Sequence, residues 1–372
     1  MDILVKRKRA PSSSDSAPPA RSGDSASSAA TPSTARRRPR HPGRGRRILR
    51  WLGTGLLVVL AGIGLVATWN FFAGPPGVGH FRSAEGRSDY LSAYEDSMNR
   101  LPEPTDTHDL HTSHGTIRVY EWATDQNRGE TPILLVPGRA SGVPMWMDNL
   151  ENLTEERRVL AFDALGDSGL SEQAVPFADF ADQAGPVDDV VSALAPEGVH
   201  LMGHSFGGAV ASAYAHQYPD RTVTLTLLDP VFTLANPSPE MLWWSVVASL
   251  PGLPGAWRET ALERIGGAEI DSEEDRDEPM TRMITAATAH YQAALPQPSP
   301  LTEDELERLD MPVYVALASR DSLAGGPGAV ERAESLPDST VKVWPDTTHS
   351  LPMQAAGELE PELLRFFTDQ DR

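Results

Sequence analysis

Ser205 lies in Gly203-His204-Ser205-Phe206-Gly207-Gly208, between the apolar run Val199–Met202 and the helical stretch Gly208–Tyr218. A G-x-S-x-G pattern between a strand and a helix has a mechanical meaning. The turn is so sharp that the glycine positions two residues to either side cannot carry side chains, and the serine is held in a strained backbone at its tip. The hydroxyl then projects from the turn, and the helix N-terminus behind it favours developing negative charge. A serine hydroxyl is a weak nucleophile at neutral pH. It needs a base, and the base needs an acid to orient it.

His349 is the candidate base, in Pro345-Asp346-Thr347-Thr348-His349-Ser350-Leu351-Pro352 after the last apolar run. Asp321, in Ser319-Arg320-Asp321-Ser322, follows the preceding run and is the favoured acid, with Asp229 the alternative at another strand end. Two N–H groups should face the oxyanion. One is that of Phe206, directly after the nucleophile; the other comes from Pro137-Gly138-Arg139-Ala140, with Arg139 preferred over Ala140. Other histidines have plainer readings. His204 shapes the elbow, and His200 lies inside a strand. His216 and His290 lie in helices. In a strand, His108 and His114 share one face and His111 takes the other, which does not suit a metal cluster.

The elements that must hold these residues are legible as an alternation. Short apolar runs at Ile133–Val136, Val159–Phe162, Val199–Met202, Val223–Leu228, Val313–Ala318 and Val341–Trp344 are separated mostly by helical stretches. Leu110–Thr112 and Thr116–Trp122 flank His114-Gly115 as a hairpin. Apolar strands alternating with helices predict an α/β fold, a mostly parallel sheet of eight strands covered on both faces. Sites in such sheets lie at the carboxyl ends of the strands, where Ser205, Asp321 and His349 fall. About 80 residues between Leu228 and Val313 lack a strand and read as a helical cap, about residues 234–300. In that cap Leu242, Trp243 and Trp244 are the candidate substrate pocket.

From about Asp109 to Phe367 the chain resembles the α/β-hydrolase family. The resemblance rests on the Pro-Gly-Arg loop, the elbow, Asp321 and His349. It also rests on Asp163-Ala164-Leu165-Gly166-Asp167-Ser168-Gly169-Leu170-Ser171, which is similar to a D-x-x-G-x-G-x-S turn of structural importance in that family. Two positions depart from the family pattern or narrow it. The usual His-Gly of the oxyanion loop is Pro137-Gly138, and the nucleophile is Ser205, which does not support the aspartate-nucleophile branches.

Charge divides the chain. Residues 1–50 carry +10 and the remainder −30. So acidic a body excludes general nucleic-acid binding, which needs a basic surface. With no cysteine, disulfides, thiolate metal sites and thiol nucleophiles are excluded. Residues 1–47 read as a disordered basic cytoplasmic tail. Residues 48–72 read as a transmembrane helix, since the 22 residues Trp51–Phe72 carry no charge and would span about 33 Å. Arg44, Arg46, Arg47 and Arg50 before it orient the tail inward and the body outward. The alternative is a cleaved export signal, giving a secreted body. Residues 73–106 read as a juxtamembrane linker and 107–372 as the catalytic domain.

The expectation is a membrane-anchored serine hydrolase facing the exterior and cleaving small-molecule carboxylic esters without cofactor or metal. Peptidase, thioesterase, acyltransferase and perhydrolase chemistry use the same groups. A non-catalytic ligand-binding protein on the same fold is the reading from another class.

Overall fold

The computed structural model describes residues 77–372 except 251–252, 268–269, 271 and 372, together with scattered positions between 51 and 64. The tail read over residues 1–47 lies outside the described residues, as does most of the span read over 48–72. Among the described residues no helix is long and apolar enough to cross a membrane.

In chain order the body contains β1 (His80–Phe81), α1 (Ala84–Met98), β2 (Asp106–Thr112), β3 (Gly115–Trp122), β4 (Ile133–Val136), α2 (Met147–Glu156), β5 (Val159–Phe162), β6 (Glu172–Gln173), α3 (Ala184–Leu194), β7 (Val199–His204), α4 (Phe206–Gln217) and β8 (Thr222–Leu228). There follow α5 (Pro239–Ser249), α6 (Gly255–Gly266), α7 (Glu273–Asp277), α8 (Pro279–His290), β9 (Tyr291–Gln292), α9 (Glu303–Leu306), β10 (Val313–Ala318), α10 (Pro327–Glu334), β11 (Ser339–Trp344), α11 (Leu351–Gln354) and α12 (Ala356–Gln370).

The main sheet runs β11-β10-β8-β7-β4-β5-β3-β2, eight strands as expected, and the two-residue β6 adds a ninth on β3. The strands from β11 to β5 are mutually parallel, while β3 and β2 pair antiparallel at the edge. The sheet is therefore mixed. Alternation along β4 explains why its residues are all apolar: Leu134 and Val136 enter the core on one face, Ile133 and Leu135 the core on the other. With both faces covered by helices, a polar residue inside these strands needs a partner. His200 in β7 meets Thr224 and Asp371 through its two ring nitrogens.

Two segments differ from expectation. Residues 73–106 hold more than a linker: α1 is fifteen residues long, and Tyr90, Ala93 and Tyr94 bury against Met283, Ala286 and Ala287 of α8. β1 pairs with β9, so this stretch is stitched to the cap. The polar composition of α1 hides its buried face, because tyrosines four residues apart supply the apolar surface. The stretch between β8 and β10 is helical over α5, α6, α7 and α8, as the lack of strand signals predicts. A short β9 ends it.

Candidate active site

Ser205 sits between the end of β7 and the start of α4 with φ 56° and ψ −123°. That backbone is unfavourable for a side chain with a Cβ, so its surroundings must hold it. They do so through three main-chain bonds. Ser205 N–H donates to Leu228, while the Ser205 carbonyl accepts from Gly208 and Val231. The turn closes only because Gly207 lacks a side chain: a Cβ there would strike the carbonyl oxygens of Val136 and Pro137. At Gly203 a Cβ would meet the main chain of Gly207 and Gly208.

His349 lies in the loop between β11 and α11. Its Nε2 is 2.8 Å from Ser205 Oγ, and its Nδ1 is 2.6 Å from Asp229 Oδ2. A carboxylate only accepts, so Nδ1 carries the proton and Nε2 is left to accept from the serine hydroxyl. Asp229 follows β8 and is fully buried. Its Oδ1 accepts from Ala318 N–H and Ser322 Oγ, and its Oδ2 also accepts from Leu323 N–H. Burial works to raise the carboxyl pKa. The hydrogen bonds and charge of His349, with Ser322 and Ala318, outweigh it and hold the group below its ordinary value.

Asp321 is thereby corrected as the partner of His349. It is exposed at a bend after β10 with φ 47°. The two residues after it, Ser322 and Leu323, turn inward instead and serve Asp229 as donors. The loop that was read as supplying the acid supplies the acid's hydrogen bonds.

The oxyanion loop follows β4. The amide of Gly138 donates to Met145 Sδ at 3.2 Å, and that of Ala140 donates to Asp167 Oδ2 at 2.8 Å. Arg139 lies between them. Among the described residues its amide has no protein acceptor, and neither does that of Phe206, the first residue of α4, where helix geometry provides none. These are the two donors named from the sequence. Ala140 N–H is already committed. The scaffold that commits it was missed. Asp167 accepts from Ala140 and Ser168, and the buried Asp163 accepts from Tyr94 Oη, Val143 N–H and Leu170 N–H. Burial pushes both carboxyls up. Their place in the 163–171 turn was the available signal.

His204 packs its ring against that of His349, with centroids 4.8 Å apart, and places Nε2 2.8 Å from the His349 carbonyl oxygen. His108 meets Glu121, His111 meets Thr116 and His114 meets Ser113, so these three have separate partners.

Leu242, Trp243 and Trp244 are not among the residues lining the cavity beside Ser205. Trp243 is 55% exposed on α5, and Trp244 packs toward Val247 and Ala261 between α5 and α6. Residue type marked them as apolar but not which face of the helix they occupy. The cavity beside the elbow, about 20 Å³, is lined instead by Val136, Gly138, Phe162, Phe177, Phe206 and Leu295. The cap reaches the site by another contact. At the end of α6, the Gly266 carbonyl accepts from Thr348 Oγ1 and Ser350 Oγ, both at 2.7 Å, and these residues flank His349.

The model of a family described as "Alpha/beta hydrolase family" matches residues 133–362, which include Ser205, Asp229 and His349. The chain belongs to the alpha/beta hydrolase family. Among curated proteins, this hydrolase is 32% identical over 140 residues to a "(Lyso)-N-acylphosphatidylethanolamine lipase" of Homo sapiens, covering 34% of this chain and 40% of that one. It is 33% identical over 110 residues to the "1-acylglycerol-3-phosphate O-acyltransferase ABHD5" of Rattus norvegicus, covering 27% of this chain and 30% of that one. The match thus spans well under half the length of these relatives. Among solved structures, the carboxylesterase CesB of Bacillus subtilis superposes with a TM-score of 0.67 at 20% identity, covering 76% of this hydrolase and 99% of the esterase. The naproxen esterase of Bacillus subtilis gives 0.68 at 19%, covering 77% and 99%. These two structures share the fold.

Proposed function

We propose that this hydrolase is a membrane-anchored, extracytoplasmic serine esterase working through an acyl-enzyme. The observation that carries the reading is the unbroken hydrogen-bonded chain Ser205–His349–Asp229. His349 Nε2 takes the proton as Ser205 Oγ attacks the ester carbonyl, and the buried Asp229 carboxylate steadies the imidazolium that results. The Arg139 and Phe206 amides face the oxygen that becomes negative. His349 then protonates the departing alcohol. A water, deprotonated by the same imidazole, releases the acid and restores Ser205. No step calls on a metal or cofactor.

The lipase among the relatives supports ester cleavage, and the acyltransferase supports a second reading in which an alcohol rather than water takes the acyl group. Anchoring rests on the charge-free run Trp51–Phe72 behind its arginines, and the outward orientation on the same charge asymmetry.

A fluorophosphonate probe tests the core of this reading. Labelling mapped to Ser205, and lost in His349→Ala, is the expected result. A folded protein that takes no label would overturn the esterase and favour ligand binding. Protease accessibility of the body in intact cells tests the outward orientation.

A further inference from the structure

The large apolar side chains that the body leaves exposed are Val175, Trp243, Val246, Trp257 and Val343 among the described residues. Three of the five lie within fifteen residues, on α5 and α6. These helices pack on each other through Val247, Ala248 and Ala261, which turns Trp243, Val246 and Trp257 outward at 55, 47 and 58% exposure. α5 carries apolar side chains around most of its circumference, a composition that suits burial on every side, yet among the described residues one side is left exposed at Trp243 and Val246. No charged residue stands between Glu240 and Arg258, in a chain whose residues beyond 50 carry −30. Arg258 itself is buried and donates to the Leu250 carbonyl, so it does not charge this face.

We propose that this face of α5 and α6, centred on Trp243, Val246 and Trp257, rests in a lipid surface. Two tryptophans and a valine, half exposed, present on the order of 300 Å² of side chain. That is short of the roughly 800 Å² per partner that a stable protein interface uses. From Met241 to Trp257 there is also no charged side chain to set register with a protein partner. A lipid interface asks for neither: apolar area and amphipathic indole rings at the headgroup level are sufficient. The inference rests on the anchored reading given above. Seven residues separate Phe72 from His80, where β1 begins, so an anchored body stays at the membrane. A lipid-seated face would set the cap, and with it the Gly266 contact to the His349 loop, against the bilayer.

The absence of cysteine makes the test direct. The full chain carrying Val246→Cys is labelled with a polarity-sensitive fluorophore and reconstituted with phosphatidylcholine vesicles. Val175→Cys, 48% exposed and far along the chain, serves as the aqueous control. The label at 246 is expected to shift to the blue, and to be quenched at least twofold more than that at 175 by lipids carrying a nitroxide on the acyl chain. Trp257→Cys repeats the measurement in case the first variant fails to fold. Equal emission and quenching at 246 and 175 would overturn the proposal. So would a blue shift that fades on protein dilution without nitroxide quenching, which would assign the face to a second copy of the chain. A chain that does not float with the vesicles would remove both the anchor and the docking. Hydrolysis of a water-soluble ester by the same samples reads the esterase separately.

Discussion

The Nε2 of His204 donates a hydrogen bond to the main-chain oxygen of His349 at 2.8 Å. A carbonyl oxygen only accepts, so His204 carries its proton on Nε2, and its buried Nδ1 has no hydrogen-bond partner among the described residues. The residue before the nucleophile thus fixes the backbone of the base. His204→Ala should lower kcat about fivefold with KM nearly unchanged, the scale of one lost neutral hydrogen bond of about 1 kcal/mol. Steady-state rates on a soluble ester, corrected for active sites by fluorophosphonate titration, check this. A purely structural role would reduce the titrated fraction and leave kcat per site intact.

The same histidine makes stability depend on pH. Burial, then the neighbouring His349, pushes its pKa down to about 3, against about 6.5 in an unfolded chain. As pH falls from 6.5 toward 3 the unfolded chain binds a proton that the folded one refuses, so stability declines with acid. The slope is at most about 1.4 kcal/mol per pH unit from this group. His200, also held down chiefly by burial, acts in the same direction. Urea midpoints measured from pH 7 to pH 4.5 should fall less steeply in His204→Gln than in the unmodified protein.

Two aspartates at strand ends separate the acid from its bystander. Asp229→Asn should cut kcat by roughly 10³–10⁴-fold, because the amide no longer holds His349 in the required tautomer. Asp321→Asn, at an exposed bend, should stay within about twofold. Parallel kcat measurements decide, and a large loss in Asp321→Asn would reverse the assignment.

Gly207→Ala should destabilise the fold by more than about 2 kcal/mol. Its Cβ has no place to go but the carbonyl oxygens of Val136 and Pro137. Chemical denaturation of the purified variant, or its failure to accumulate, is the measurement; unchanged stability would mean the elbow is looser than its geometry.

How much of this was legible in the sequence follows from what each residue type encodes. β4, β5 and β10 matched to the residue, because a strand buried on both faces is a continuous apolar run bounded by polar or turn residues. Ser205, His349, Arg139 and Phe206 could be located because the elbow and the strand ends fix their positions along the chain. The acid was not separable in this way. Asp229 and Asp321 each follow a parallel strand and each adopts a positive φ, at 42° and 47°. Which carboxyl turns inward depends on how residues 318–323 curl, a tertiary matter. The tryptophans of α5 failed for a related reason. A helix apolar around most of its surface has no periodicity to say which side faces the core.

The Gly266 carbonyl, held by the hydroxyls of Thr348 and Ser350, joins the last turn of α6 to the two neighbours of His349. Trp257 stands near the opposite end of that helix, which at twelve residues is a rod of about 18 Å. A helix is stiff along its axis, so a displacement at the indole would be carried to the hydroxyls that bracket the imidazole. In mechanical terms α6 has the form of a strut, with an apolar foot at one end and the neighbours of His349 at the other.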